Sequence, residues 1–216
     1  IRTNLRLCAR DPERPPALIA VTKTVPAERI ARLPAAEIAG IGENRVQEIC
    51  EKYQNPSEFP PIHLIGRLQT NKVKYIIDKV CMIQSLDRPA LAQEIDRQAQ
   101  RRGLCMPVLL QVNIGHESQK GGMPAEELLE QARAYARLDG LSIRGLMAVM
   151  PLVQDLETLR PLFARMRGLL DRLRAEAIDG VQAEQLSMGM SADAYVAAQE
   201  GATMVRIGSA IFGPRA

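Results

Sequence analysis

The chain has 216 residues, of which 46% are apolar, and its formal net charge is +3. This small positive charge argues against a nucleic-acid-binding surface, and no apolar run reaches the roughly 18 residues of a membrane span. Its four cysteines (Cys8, Cys50, Cys81 and Cys105) are widely spaced, so they predict reduced thiols in a cytoplasmic protein rather than a metal site.

Short apolar segments alternate with helix-like segments along the chain. The predicted strands are 17–23, 37–43, 61–66, 82–87, 107–113, 143–149, 185–190 and 203–209. Strands that alternate with helices indicate parallel βαβ units, and eight of them favour an α/β fold of the (β/α)8 TIM-barrel type. An open, doubly wound sheet is the alternative, although no GxGxxG follows the first strand. We expect a single domain over 1–216, with a trimmed natural N-terminus because the chain begins at Ile1.

Helix signals fall between these strands. Asp87 predicts an N-cap with Pro89 in the first turn, and Gly103 predicts the end of that helix. The longest candidate, 155–177, has apolar residues at helical spacing but contains Pro161. That helix is therefore expected either to begin late or to kink.

The first predicted strand ends in a lysine. Ile19, Val21 and Lys23 share one face by strand alternation, which places Lys23 on the inward side at the carboxyl end. Active residues of (β/α)8 barrels lie at that end. An amine kept neutral there is a nucleophile that forms Schiff bases with carbonyl compounds. A lysine that ends a strand and bends into solvent is the alternative.

The last two predicted strands run into loops rich in glycine and serine. The residues concerned are Ser187, Gly189, Met190 and Ser191 after strand seven, and Gly208 and Ser209 after strand eight. Glycine permits a close backbone approach, serine donates a hydroxyl, and a following helix offers free N–H groups, so both loops suit a phosphate. Ser191 also predicts the N-cap of a helix over 192–200, which is compatible with phosphate binding.

Arg206 lies in an otherwise apolar strand, on the same face as Met204 and Gly208. A buried arginine needs a partner, which is either a carboxylate such as Glu43 or an acceptor on a ligand. The strand-end lysine, the inward arginine and the two phosphate loops together describe a pyridoxal phosphate pocket. The aldehyde would lie on Lys23 and the ring nitrogen on Arg206.

Three polar features near the same edge allow more than one interpretation. Asn44, with Gln47 three residues later, is more typical of helix capping than of ligand binding. His63, on strand three, is most often a hydrogen-bonded interior histidine, and a general base is the alternative. The polar segment 66–72 connects a strand to a helix and would line the mouth of the barrel.

Five segments resemble the pyridoxal phosphate homeostasis proteins, a family similar to the N-terminal barrel of alanine racemase. They are 20–24, 42–48, 63–72, 186–191 and 204–213. The resemblance implies that Lys23 holds pyridoxal phosphate as an internal aldimine and that Arg206 faces the pyridine nitrogen. It also places Ser191, Gly208 and Ser209 near the phosphate. The candidate cofactor site further includes Asn44, His63, Ser187, Gly189 and Met190.

The resemblance implies a binding protein that regulates the intracellular supply of the cofactor without established turnover. Pyridoxal-phosphate-dependent enzymes are the candidate recipients, and a monomer or weak dimer is expected. A racemase is the first alternative and a Schiff-base aldolase the second. Racemisation needs an acid opposite the lysine, which alanine racemase takes from a second domain. This chain ends soon after strand eight, and its tyrosines fall in predicted helices, so we expect no racemase turnover. Those tyrosines are Tyr53, Tyr75, Tyr135 and Tyr195.

Overall fold

The computed structural model describes residues 1–115, 117 and 119–213. Eight parallel strands form a closed barrel in sequence order, with the last strand paired to the first. The strands are β1 Ala17–Val21, β2 Gly40–Glu43, β3 Ile62–Leu64, β4 Met82–Leu86, β5 Met106–Gln111, β6 Leu141–Met147, β7 Val181–Ser187 and β8 Met204–Ile207. The (β/α)8 prediction is therefore confirmed, and the open-sheet alternative is wrong.

Helices surround the barrel. They are α1 Arg2–Cys8, α2 Ala27–Ile30, α3 Val46–Lys52, α4 Pro89–Gln100, α5 Leu128–Tyr135, α6 Arg160–Ala175, α7 Ala194–Gln199 and α8 Ser209–Phe212. Between β3 and β4 the helical element is a 3-10 helix, Thr70–Tyr75. The N-terminal helix α1 packs against α7, near the seam where the barrel closes.

The observed strands differ from the predicted ones mainly at their ends. β1 ends at Val21, so Lys23 follows the strand instead of belonging to it. β7 begins at Val181, four residues before its predicted start, and its solvent-facing Gln182 and Glu184 explain why the sequence pattern conceals it.

Two predicted helix starts are corrected or resolved. Asp87 does not cap α4, because the N-cap residue is Arg88. Pro161 lies in the first turn of α6, which begins at Arg160. Of the two alternatives for this helix, the late start is therefore the observed one, and proline in a first turn costs no intrahelical hydrogen bond.

Apolar side chains fill the barrel in two separate clusters. The larger one lies between the strands and the helices, and the smaller one lies inside the barrel. The inner cluster consists of Ile19, Met82, Leu109, Met147 and Met204, all buried. Met82 and Met204 begin their strands, whereas Met147 ends β6, so the cluster extends along much of the barrel interior.

Two kinds of feature, a membrane-spanning helix and a metal cluster, are absent from the described residues. Every helix there is too short or too polar to cross a lipid bilayer. The same residues contain no group of three or more potential metal ligands. His116 and Ser118 lie outside the described residues.

Candidate functional site

A chain of hydrogen bonds crosses the barrel interior beside the inner apolar cluster. Arg206 Nη1 donates to Ser187 Oγ at 2.5 Å, and Ser187 Oγ donates to Gln84 Oε1 at 2.6 Å. Gln84 Nε2 in turn lies 3.1 Å from His63 Nδ1. All four side chains are less than a tenth exposed. Four strands, β8, β7, β4 and β3, thus supply one polar layer.

Gln84 is the member of this layer that is not among the predicted site residues. It shares the inward face of β4 with Met82, and it is completely buried. A buried amide needs hydrogen-bond partners. The signal available in the sequence is therefore a glutamine two residues after Met82, on the inward face of a mostly apolar strand.

His63 is a neutral interior residue in this arrangement. Burial lowers its pKa to about 4. The amide nitrogen of Gln84 faces Nδ1, because the amide oxygen is taken by Ser187. Nδ1 is therefore an acceptor and the ring proton is on Nε2. The geometry favours the interior-histidine interpretation over the general base.

Arg206 has no carboxylate partner among the described residues. Its Nη2 donates to Ala148 O at 2.7 Å, and the guanidinium is only 4% exposed. Burial lowers its pKa to about 10, and the charge of Asp193 opposes that shift, so the group stays protonated at neutral pH. Two of its five N–H groups are used, which leaves donors for a ligand.

Of the two partners considered for Arg206, the carboxylate of Glu43 is not the one observed. Glu43 faces the outside of the barrel, where its Oε1 accepts from Thr22 Oγ1 and Tyr53 Oη, both at 2.7 Å. Lys52 Nζ is a third donor to the same oxygen, at 3.1 Å. Burial, reinforced by the charge of Glu43, raises the pKa of Tyr53. Tyr53, just past the end of α3, is therefore buried against Thr22 and Glu43, beside the carboxyl end of β1.

The turn that carries Lys23 is fixed by this outer cluster. Lys52 Nζ donates to Thr22 O at 2.9 Å and to Glu48 Oε2 at 2.6 Å. The same Glu48 oxygen accepts from Thr24 N at 2.7 Å. Thr24 has a φ of 63°, which is unusual for a β-branched residue and needs such support.

Lys23 is half-buried at the carboxyl end of β1, so it does not extend fully into solvent. Of the residues that hold its turn, Glu48 and Lys52 are not among the predicted site residues. Their i,i+4 spacing on α3 is the signal that the sequence contains.

The two predicted phosphate loops are joined by a hydrogen bond. Ser191 Oγ accepts from Gly208 N at 3.1 Å. Gly189 has a φ of 89°, and a Cβ there would lie 2.6 Å from the Cβ of Ala197, so only glycine fits. Ser209, in the first turn of α8, is exposed.

The predicted capping role of Ser191 is wrong. α7 begins at Ala194 with Asp193 as its N-cap residue, two positions later than expected. Asp193 Oδ1 accepts from Met190 N at 2.6 Å and so closes the loop on itself. The Ser191 hydroxyl instead accepts the hydrogen bond from Gly208 N, which joins the loops that follow β7 and β8.

The predicted capping role of Asn44 is also wrong. α3 begins at Val46, and its N-cap residue is Arg45. Within the described residues, the Asn44 side chain has no hydrogen-bond partner. A Cβ on Gly66 would lie 2.7 Å from the Asn44 Cα, so the exit of β3 packs directly on this backbone. Asn44 is thus held in place with its amide unused.

The predicted residues meet at one end of the barrel. Lys23 and Asn44 follow β1 and β2, the Ser191 and Gly208 loops follow β7 and β8, and Arg206 lies below them inside the barrel. This end holds a buried cation with spare donors, an amine and two narrow glycine–serine loops. Such a donor set suits a small anionic ligand with a ring acceptor.

Sequence comparison gives the same relatives along the whole chain. Residues 1–216 match the family model for the N-terminal domain of alanine racemase. The pyridoxal phosphate homeostasis protein of Aquifex aeolicus is 44% identical over 199 residues, which cover 92% of this chain and 86% of that protein. The Escherichia coli K12 protein of the same name is 38% identical, with 96% and 89% covered.

Solved structures agree. PipY of Synechococcus elongatus PCC7942 with pyridoxal phosphate bound has a TM-score of 0.83 at 34% identity, and covers 92% of both chains. An alanine racemase of Clostridium difficile 630 has a TM-score of 0.77 at 17% identity over 99% of this chain and 55% of its own, which shows the fold alone. The chain therefore belongs to the pyridoxal phosphate homeostasis protein family, built on the barrel of the alanine racemase N-terminal domain.

Proposed function

We propose that this protein binds pyridoxal phosphate at the carboxyl ends of β1, β7 and β8, through a Schiff base on Lys23. The amine of Lys23 condenses with the aldehyde of the cofactor and one water is lost. The observation that carries the proposal is Arg206, a buried cation with unused donors and no carboxylate partner in the described part of the chain. The pyridoxal phosphate bound to PipY and the family name support it.

Each part of the cofactor has a counterpart in the site. An unused N–H of Arg206 would donate to the ring nitrogen. The loops containing Gly189, Met190 and Ser191 and containing Gly208 and Ser209 would hold the phosphate. Because the N–H of Gly208 is already used by Ser191, Ser209 is the freer donor of the second loop. The side-chain amide of Asn44, which has no partner among residues 1–115, 117 and 119–213, is available at the rim.

We further propose that the protein holds and releases the cofactor for pyridoxal-phosphate-dependent enzymes and does not racemise amino acids. A protonated Arg206 can only donate, so it leaves the ring nitrogen unprotonated and the ring a poor electron sink. His63 is neutral, and its Nδ1 accepts a hydrogen bond from Gln84 within the polar layer. The test is to incubate L-alanine with the loaded protein in heavy water. Incorporation of deuterium at the α-carbon faster than with free cofactor would contradict this proposal.

Borohydride reduction followed by peptide mass spectrometry tests the binding site. The wild-type protein should show the visible absorbance of a Schiff base and a reduced label on Lys23, and Lys23→Ala should lose both. Lys79→Ala is the matched control, because Lys79 precedes β4 and so lies at the opposite end of the barrel. A label that persists on another lysine in Lys23→Ala would refute the assignment.

A further inference from the structure

A cavity of about 850 Å³ opens beside the candidate cofactor site. Its walls come from the connection after β2, including Asn44 and Glu48, and from the polar segment after β3, including Arg67 and Lys72. Asn44 belongs to the candidate cofactor site, and Glu48 is bonded to the residue that follows Lys23. The cavity therefore adjoins both. The function proposed above uses none of its cations.

The charges of the cavity do not balance. The ionisable residues that line it are Arg45, Glu48, Glu51, Arg67, Lys72 and Arg88. Arg88 is held by Asp87 and by Leu68 O, and Glu48 is held by Lys52. Within the described residues, the side chains of Arg67 and Lys72 have neither a hydrogen bond nor an ion pair. Glu51 is the one lining carboxylate left to face Arg45, Arg67 and Lys72.

Unpaired cations around a concave surface attract anions, and clefts of one sign accelerate association by roughly 10- to 1,000-fold. Lys72 is half-buried, so its charge is less screened than that of a fully exposed lysine. The cavity is larger than inorganic phosphate requires, and it is within the size range of small-molecule sites. An organic phosphate fits both the charge and the volume.

We propose that this basic cavity, defined by Arg45, Arg67 and Lys72, captures the phosphate of pyridoxal phosphate before the cofactor reaches Lys23. The inference rests on the function proposed above. The cavity is an encounter site, so it governs the association rate and its salt dependence. The Schiff base itself, which is held by the barrel interior, is unaffected by these cations.

Rapid mixing of cofactor-free protein with pyridoxal phosphate tests this, with the Schiff-base absorbance as the signal. The Arg67→Ser/Lys72→Ser double variant should associate about tenfold more slowly than wild type at low ionic strength. The difference should shrink in high salt, and the final spectrum should be unchanged. Arg137→Ser is the matched control, an exposed cation that precedes β6 at the other end of the barrel.

Competition with inorganic phosphate provides a second measurement. Added phosphate should slow association of the wild-type protein more than that of the double variant. If the double variant matches Arg137→Ser at every salt concentration while wild type forms the Schiff base, the basic cavity has no such role. If wild type forms no Schiff base, the proposed function fails first and the encounter site with it.

Discussion

Lys52 forms ion pairs with two carboxylates, Glu43 and Glu48, on the outer side of the β1 exit. Glu43 is completely buried, and only about a seventh of the Lys52 side chain is exposed. Burial alone would raise the pKa of Glu48, but the hydrogen bonds from Lys52 and Thr24 N hold it below its ordinary value. The Lys52 ammonium therefore favours the charged form of Glu48.

Lys52→Met should lower the free energy of unfolding by about 3–5 kcal/mol, because removing one partner of a buried ion pair leaves uncompensated charge. Urea unfolding at neutral pH measures the change. Lys79→Met, which removes a lysine outside this cluster, should have little effect. A loss below about 1 kcal/mol for Lys52→Met would mean that the cluster contributes little to stability.

At the level of elements, replacement of glycine by alanine should have opposite effects on stability at two positions, Gly66 and Gly168. A Cβ on Gly66 would collide with the Asn44 backbone, which cannot retreat because Gly66 and Asn44 leave neighbouring strands. Gly66→Ala should therefore cost about 1–3 kcal/mol of stability. Thermal or urea unfolding of the variant measures this cost.

Gly168→Ala is the control for that substitution. Gly168 lies within α6, and a Cβ there would meet no atom within 4 Å. Alanine should stabilise the helix by about 0.5–1 kcal/mol, since glycine is a poor helix former. Equal effects of the two substitutions would contradict the packing of Gly66 on Asn44.

The order and type of the helices and strands are predictable because the spacing of apolar residues differs between a helix and a strand. Their ends are less so, since a strand such as β7 also includes solvent-facing residues that resemble a loop. The capping residues fail for a related reason. Ser191 can cap a helix locally, but its actual donor, Gly208 N, comes from the end of another strand.

The candidate site divides in the same way. Lys23 and Arg206 stand out as candidates in the sequence because each is a charged residue in, or directly after, an apolar strand. Gln84, Glu48 and Lys52 act through partners on other elements, and strand alternation does not reveal which side chains meet across a closed barrel. These supporting contacts depend on barrel closure.

For the molecule as a whole, the polar layer gives the barrel interior a direction. Arg206 donates to Ser187, Ser187 donates to Gln84, and Gln84 donates to Nδ1 of His63. The donors therefore all point in the same direction along the chain of hydrogen bonds. Protonation of His63 at Nδ1 would place its N–H directly against the donor Nε2 of Gln84. Folding therefore favours the neutral ring, in agreement with its lowered pKa.

This makes stability depend on pH. The pKa of His63 is about 4 in the folded chain and 6.5 when unfolded, so the unfolded chain binds the extra proton between these values. Stability is full above about pH 6.5 and falls towards pH 4, by roughly 3 kcal/mol at most from this group. Urea unfolding at pH 7 and pH 4.5 should show the loss.

His63→Gln separates this effect from the acidic groups, because glutamine offers Gln84 an acceptor and does not titrate in this range. The pKa of Glu48 is lowered in the folded chain, so its protonation also reduces the free energy of unfolding, but mainly below pH 4.5. The variant should therefore have a flatter profile between pH 6.5 and 4.5. An unchanged profile would exclude His63 as the source.

The turn after β1 has a kinetic consequence. Loop amides normally exchange their hydrogens readily, but Thr24 N is bonded to Glu48 within a cluster that includes the buried Glu43. Its exchange should require opening of α3 and should therefore be as slow as that of core strands. The turn that carries Lys23, the residue proposed to bind the cofactor, is then rigid. Release of a bound cofactor would be timed by hydrolysis at that amine, and chain motion around it would contribute little.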